Sequence, residues 1–297
     1  MHPQHILSPA AVARLLAIRD LTDPGQGRHA MQRSLWSAVA GAAAEAPCDV
    51  VTHRSGPIVS RLDDDRLGWR EDGAPAGAPR RVSPVRVLRS RMASSMPAVL
   101  RQLTIPPDRE LLVVCAGTVH RPYASARGAS RDARAAVVPH EAELWRLRRG
   151  PAYSLRDVGR AIGAVARATV PGLAVSAAPC TVAHLAEART ADVRVRGAWL
   201  EIGRCGTVDP ELLSDLRVPA GTAALAMTLG LDRLVMLAKG IDDARVLRAR
   251  EPSVAAQMAD LEPYVSPALA GQAAPGERRR AVATERRPGY VTARLRG

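Results

Sequence analysis

GLDRLVMLAKGIDDARVLRA, residues 230–249, opens on a glycine and passes at once into a helical pattern. Leu231, Leu234, Val235 and Ala238 share one face, and Gly240 is placed to stop the helix. The preceding run, GTAALAMTL at 221–229, is small and apolar and reads as a strand. A strand that enters a helix through Gly230 brings unpaired backbone N–H groups and one fixed cation, Arg233, to a single spot. Helix N-termini attract anions through those N–H groups and the helix dipole, so Gly230 and Arg233 form a candidate phosphate contact. From the residues alone, a surface arginine in an ordinary ion pair is the alternative.

Working outward, DVRVRGAWLEIGRCG at 192–206 alternates Val193 and Val195 with Arg194 and Arg196 before a turn at Gly197, which predicts a hairpin. Ser154 with Asp157 three residues on resembles a capping box, and Leu155, Val158, Ile162 and Val165 follow at helical spacing, so residues 155–168 are expected to be helical. LLVVCAG at 111–117 reads as a buried strand. A basic loop holding Arg121, Arg127, Arg131 and Arg134 leads from it to a second strand, HEAELWRL at 140–147. Two-residue spacing puts Glu141 and Glu143 on one sheet face, where a carboxylate could meet an ammonium group; an ion pair with Arg146 or Arg148 would fit the same pattern.

Nearer the N-terminus, helices are expected at 9–20, behind the Ser8-Pro9 cap, and from about His29 to Ala44. Residues 48–62 suggest a hairpin or an offset strand pair around Ser55-Gly56-Pro57, and the Gly- and Pro-rich stretch 70–84 a surface loop. This divides the chain into a helical lead (1–47), a core (48–264) and a basic, flexible tail (265–297), where residues 277–297 carry seven arginines against two glutamates.

The string at 230–243 resembles motif 3 of class II aminoacyl-tRNA synthetases, particularly the phenylalanine enzyme's alpha-subunit branch, and GIDDARVLRA at 240–249 looks like that family's continuation after it. LLVVCAGTVHR at 111–121 is similar to the first strand of that family's motif 2, and His140-Glu141-Ala142-Glu143 to its His-Gln-x-Glu pattern. WLEIGRCGTVDP at 199–210 is similar to the strand and glycine turn lining its amino-acid pocket. The resemblance covers roughly residues 85–262. It implies an α+β fold, an antiparallel sheet flanked by helices with a helical lead in front. It further implies ATP, with Mg2+, bound by Arg121, Gly230 and Arg233, with the two arginines catalytic. His140, Glu141, Glu143, Gly203 and Gly206 would bind an amino acid, tRNA would be the acceptor, and a homodimer or a partner subunit would complete the assembly. A paralogue that binds without aminoacylating, or a ligase acting on a carrier protein or in a biosynthetic pathway, fits the same resemblance. The chain departs from the pattern at Ser90-Arg91-Met92-Ala93-Ser94, which lacks the family's histidine, at Pro122 and Tyr123, and at Glu141, where glutamine is usual. Phenylalanine is absent from the whole chain.

Composition sets the outer bounds. The formal charge of +13 is carried almost wholly by arginine, Lys239 being the single lysine. That charge suits a polyanionic partner, although a compositional bias toward arginine and alanine would produce it as well. Cys48, Cys115, Cys180 and Cys205 lie far apart with no CxxC pair, so neither a zinc site nor a disulfide framework is expected. No apolar run reaches the ~18–20 residues of a membrane span. The first residues lack a secretory pattern, and the chain reads as cytoplasmic, without a membrane anchor.

Overall fold

The computed structural model describes residues 6–67, 79–121 and 138–263. The helices, in chain order, are α1 (Pro9–Leu16), α2 (Ala30–Ala43), α3 (Arg61–Arg66), α4 (Met96–Leu100), α5 (Leu155–Thr169), α6 (Pro210–Asp215), α7 (Leu231–Lys239) and α8 (Pro252–Ala259). The strands begin with β1 (Cys48–His53), β2 (Ile58–Ser60), β3 (Arg86–Leu88), β4 (Glu110–Thr118) and β5 (His140–Arg149). They continue with β6 (Val175–Ser176), β7 (Pro179–Cys180), β8 (Leu185–Val195), β9 (Ala198–Val208) and β10 (Thr222–Gly230).

Among the described residues the main sheet runs β1-β4-β5-β10-β9-β8-β6, with β7 also paired to β8. All its pairings are antiparallel except β1 with β4. This is the expected α+β architecture of a largely antiparallel sheet flanked by helices. The β8–β9 hairpin turns at Arg196 and Gly197, both at positive φ (50° and 82°), the backbone of a two-residue turn that matches strand twist. β9 carries one extra residue at Ile202, since Ala191 pairs with Gly203 but Asp192 with Glu201.

One apolar face of the sheet is covered by α2, α5 and α7. Met31, Leu35 and Val39 of α2, Val158, Ile162 and Val165 of α5, and Leu234 and Val235 of α7 pack there on Leu112, Leu144, Ile202 and Leu229. The N-terminal lead therefore shares the core. α2 and α5 approach at Gly41, where a Cβ would lie 2.8 Å from the Ala168 Cβ and 2.9 Å from the Ala164 carbonyl oxygen. α5 begins as expected, with the reciprocal Ser154–Asp157 capping box. α7 ends on Gly240 at φ 66°, with Ile241 N–H donating to the Met236 carbonyl at 2.8 Å, the cap that a left-handed glycine permits.

Two expectations are corrected. Residues 48–62 form neither a hairpin nor an offset pair. β1 lies parallel beside buried β4, while β2 turns away after Pro57 to pair with β3. The helix expected over 9–20 stops at Leu16, because residues beyond it are held in a turn by side chains: Asp20 accepts from the Thr22 N–H at 2.9 Å and its hydroxyl at 2.7 Å, and Gln26 accepts from the Asp20 N–H at 2.9 Å. Arg127, Arg131 and Arg134, with Pro122 and Tyr123, lie outside the described residues, as do most of the 70–84 loop and the whole 265–297 tail. No described helix is long and apolar enough to cross a membrane.

Candidate functional site

The sheet face away from α2, α5 and α7 carries the polar chemistry. Pairing register places Cys115, Glu143, Thr228, Arg204 and Thr190 side by side across β4, β5, β10, β9 and β8. Cross-strand partners point to the same face, so these five side chains form one transverse row. The next row toward the loop end is Gly117, Glu141 and Gly230, and the next inward is Val113, Trp145, Ala226, Gly206 and Ala188.

Arg121 follows β4 and forms an ion pair with Glu141, its own side chain about half exposed. The other Glu141 oxygen accepts from the Met92 N–H at 3.0 Å. Glu143 is fully buried, accepting from Trp145 Nε1 at 2.7 Å and from the Thr228 hydroxyl at 2.6 Å. Burial pushes its carboxyl up to about 7, and the Glu141 charge adds to that; the two donors and the Arg91 charge oppose it. Trp145 also stacks on His184 at 6.3 Å between ring centroids and 9° between planes.

Arg233 lies in the first turn of α7, exposed, and its Nη1 donates to the Glu201 carbonyl at 2.6 Å. Gly230 hands β10 over to the helix as the sequence implied, with Arg233 folded back beside it. Arg233 also borders a cavity of about 290 Å³ under the β8–β9 hairpin tip, lined by Trp199, Leu200, Met236, Ile241 and Asp242. Gly203 and Gly206 are close backbone approaches. A Cβ on Gly203 would lie 2.3 Å from the Thr228 carbonyl oxygen, and one on Gly206 2.2 Å from that of Glu187.

The register thus brings Glu141, Glu143 and Gly230 to one end of one face, with Arg121 ion-paired to Glu141 and Arg233 three residues past Gly230. His140 is not among them. One residue out of phase with the glutamates, it is buried on the helix-covered side. There its backbone N–H donates to Asp232 Oδ2 at 2.6 Å, its Nδ1 to Asp232 Oδ1 at 3.1 Å, and its Nε2 accepts from the Leu21 N–H at 3.1 Å. It pins the lead and α7 to β5. The serines of the 90–94 segment also turn away, since Ser90 and Ser94 both donate to buried Asp64 of α3. The same segment crosses above the glutamates, as the Met92–Glu141 bond shows.

Sequence reasoning missed Thr228, Arg204 and Arg89. Arg89 is 1% exposed, and its guanidinium donates to the Thr118 carbonyl at 2.8 Å and to the Ser55 carbonyl and hydroxyl, both at 3.0 Å. It braces the end of β4 from which Arg121 emerges. An arginine beside Ser90 carried no periodic signal, and Thr228 and Arg204 gain meaning only from the strand order. Among the described residues no group of three or more His, Cys, Asp or Glu gathers to hold a metal ion, and all four cysteines are free.

Residues 173–258 match the family described as tRNA synthetases class II core domain (F). Over 57 residues the chain is 44% identical to the phenylalanine–tRNA ligase alpha subunit of Prochlorococcus marinus strain NATL2A, a stretch covering 19% of this chain and 17% of that protein. Over 74 residues it is 39% identical to the corresponding subunit of Deinococcus radiodurans, covering 22% of each. Among solved structures, a pyrrolysyl tRNA synthetase of Desulfitobacterium hafniense, PylSc, superposes with a TM-score of 0.52 at 16% identity, over 80% of this chain and 76% of that one. At that identity the likeness is one of fold.

Proposed function

We propose that this chain, which has the class II synthetase fold and carries that family's core domain at residues 173–258, activates an amino acid with ATP for transfer to tRNA, as phenylalanine–tRNA ligases do. One observation supports the reading: a strand and helix joined at Gly230 carry Arg233 three residues beyond the position that pairs with Glu141, the residue that holds Arg121 in an ion pair. Adenylate formation needs charge on the phosphates neutralised while a carboxylate attacks the α-phosphorus, and two positioned arginines supply that. The half-exposed Arg121 and the exposed Arg233 fit a polyphosphate. Mg2+, brought with the nucleotide, would add to that charge neutralisation.

The carboxylates act differently from a simple ammonium clamp. Glu143 has both oxygens engaged and no exposed surface, so it works through Thr228, whose hydroxyl hydrogen points at Glu143. The Thr228 oxygen is thereby polarised to accept from a substrate ammonium. Amino acid and tRNA as partners, a second copy or a partner subunit, and a cytoplasmic setting belong to the same proposal.

Amino-acid-dependent exchange of pyrophosphate into ATP, screened over the standard amino acids, tests it. Exchange with at least one is expected, and Arg233→Ala should abolish it with circular dichroism unchanged. Exchange with none would refute the ligase reading. The saturated glutamates favour a second reading, a paralogue that binds ATP without aminoacylating; ATP binding by calorimetry with no exchange is its signature.

A further inference from the structure

We infer that the acid activated at this site carries a polar, hydrogen-bonding side chain, of the hydroxyl, carboxamide or carboxylate class, and that Thr228, Arg204 and Thr190 read it. The inference rests on the adenylate-forming reading above. On that reading the α-phosphate end of the site lies at the row of Glu141 and Gly230, where Arg121 pairs with Glu141 and Arg233 follows Gly230 by three residues. Toward Glu141 the face is closed by the segment whose Met92 N–H bonds that residue. The remainder of the acid extends the other way, along the transverse row.

Cys115 and Glu143 are fully buried in that row, so its first member open to a ligand is half-buried Thr228. Arg204 comes next, about one strand spacing of ~4.8 Å further on, and Thr190 one beyond it. Arg204 Nε lies 3.2 Å from Glu201 Oε1, both side chains about a third exposed, and Thr190 donates to Asp192. Because β9 carries its extra residue at Ile202, Glu201 rejoins this polar face and Ile202 points into the core. Inward of the row stand Ala226, Gly206 and Ala188, all buried, Ala226 within an apolar cluster that also holds Met92, Trp145 and Leu213.

No aromatic or branched aliphatic side chain stands in the row itself. A phenyl ring laid there would shield a guanidinium, hydroxyls and carboxylates from water and return no hydrogen bond to any of them. Sites built to hydrogen-bond a substrate reject analogues lacking the partner by up to ~10⁴–10⁵-fold, far more than an apolar pocket gains from a methylene.

Non-hydrolysable aminoacyl sulfamoyl adenosines bearing each standard side chain, titrated calorimetrically into the full chain, test the inference without requiring turnover. The tightest binders are expected to carry hydroxyl, carboxamide or carboxylate side chains and to exceed the phenylalanyl analogue by at least ~100-fold. Arg204→Leu should cut that preference by at least about tenfold, and Arg204→Gln, which keeps donors at the site, by less. If the phenylalanyl or leucyl analogue binds tightest, or both variants keep the wild-type ranking, the inference is overturned and the adenylate-forming reading stands. If no analogue binds while ATP does, the amino-acid site is refuted and only nucleotide binding survives; if ATP fails too, both readings fall.

Discussion

Replacing Glu143 by glutamine removes one ionisable group from the middle of the sheet and leaves its shape. The carboxyl is fully buried and raised from its ordinary 4.5 to about 7. Between those two values the native protein holds a proton that the unfolded chain has released. The resulting stabilisation is fully present below pH 4.5 and is lost as pH rises through 7. At about 1.4 kcal/mol per pH unit the gap corresponds to ~3 kcal/mol. Glutamine does not titrate. Its oxygen can take the Trp145 N–H, and its amide can donate to the Thr228 hydroxyl after that hydroxyl rotates, so the offset at low pH should stay within ~1 kcal/mol. Urea denaturation of both proteins at pH 4.5, 5.5, 6.5, 7.5 and 8.5 measures the difference, in which every other titrating group cancels. Glu143→Gln should gain on wild type steadily with pH, by up to ~3 kcal/mol across the range. A difference constant within ~0.5 kcal/mol, or drifting toward wild type as pH rises, would show that burial does not hold Glu143 protonated and would refute this reasoning.

Gly206→Ala should lower stability by at least ~1–3 kcal/mol, since its Cβ would lie 2.2 Å from a backbone oxygen, whereas Gly159→Ala in α5, with nothing within 4 Å, should raise it by about 0.4–1 kcal/mol; thermal unfolding compares the two. Asp232→Asn should cost about 1–3 kcal/mol in urea, because the His140 backbone N–H and Nδ1 both donate to its oxygens and an amide offers only one acceptor. Burial lowers His29, His120 and His184 from 6.5 to about 4, so the stability they contribute is complete above pH 6.5 and is lost as pH falls toward 4. Both His120 ring nitrogens lack a partner among the described residues, and His120→Leu should therefore flatten the fall in melting temperature between pH 6.5 and 4.5; an equal fall in variant and wild type would contradict this.

What could be read from the sequence was local. The Ser154 capping box, the Gly197 turn, and the passage from β10 through Gly230 into α7 are each specified by neighbouring residues, and each formed where its signal stood. Pairing across long distances was not legible. β1 prefers β4 over the nearby β2 because its partner is chosen by a buried apolar strand rather than by the turn at Gly56-Pro57. In the candidate site, the position of Arg233 followed from the last of those signals, and that of Arg121 from the resemblance of 111–121 to a motif 2 strand. His140 stands apart because the alternation that groups Glu141 with Glu143 sends their neighbour to the opposite face. Arg204 stayed hidden because its place in the row depends on β10 lying between β5 and β9, and on the bulge at Ile202 that brings Glu201 beside it.

That strand order also has a kinetic consequence. β4 and β5 follow one another in the chain and can zip locally, as can the β8–β9 hairpin, but β10 comes last and must insert between two ready-made edges. Non-local pairing of this kind is reached only after large loops have closed, and it sets the pace of folding. During synthesis, the N-terminal portion would emerge with Arg121 already at the end of its strand pair and no counterpart. The proposed phosphate site would then appear all at once, as the final event of sheet closure, when Gly230 docks beside Glu141 and brings Arg233 with it.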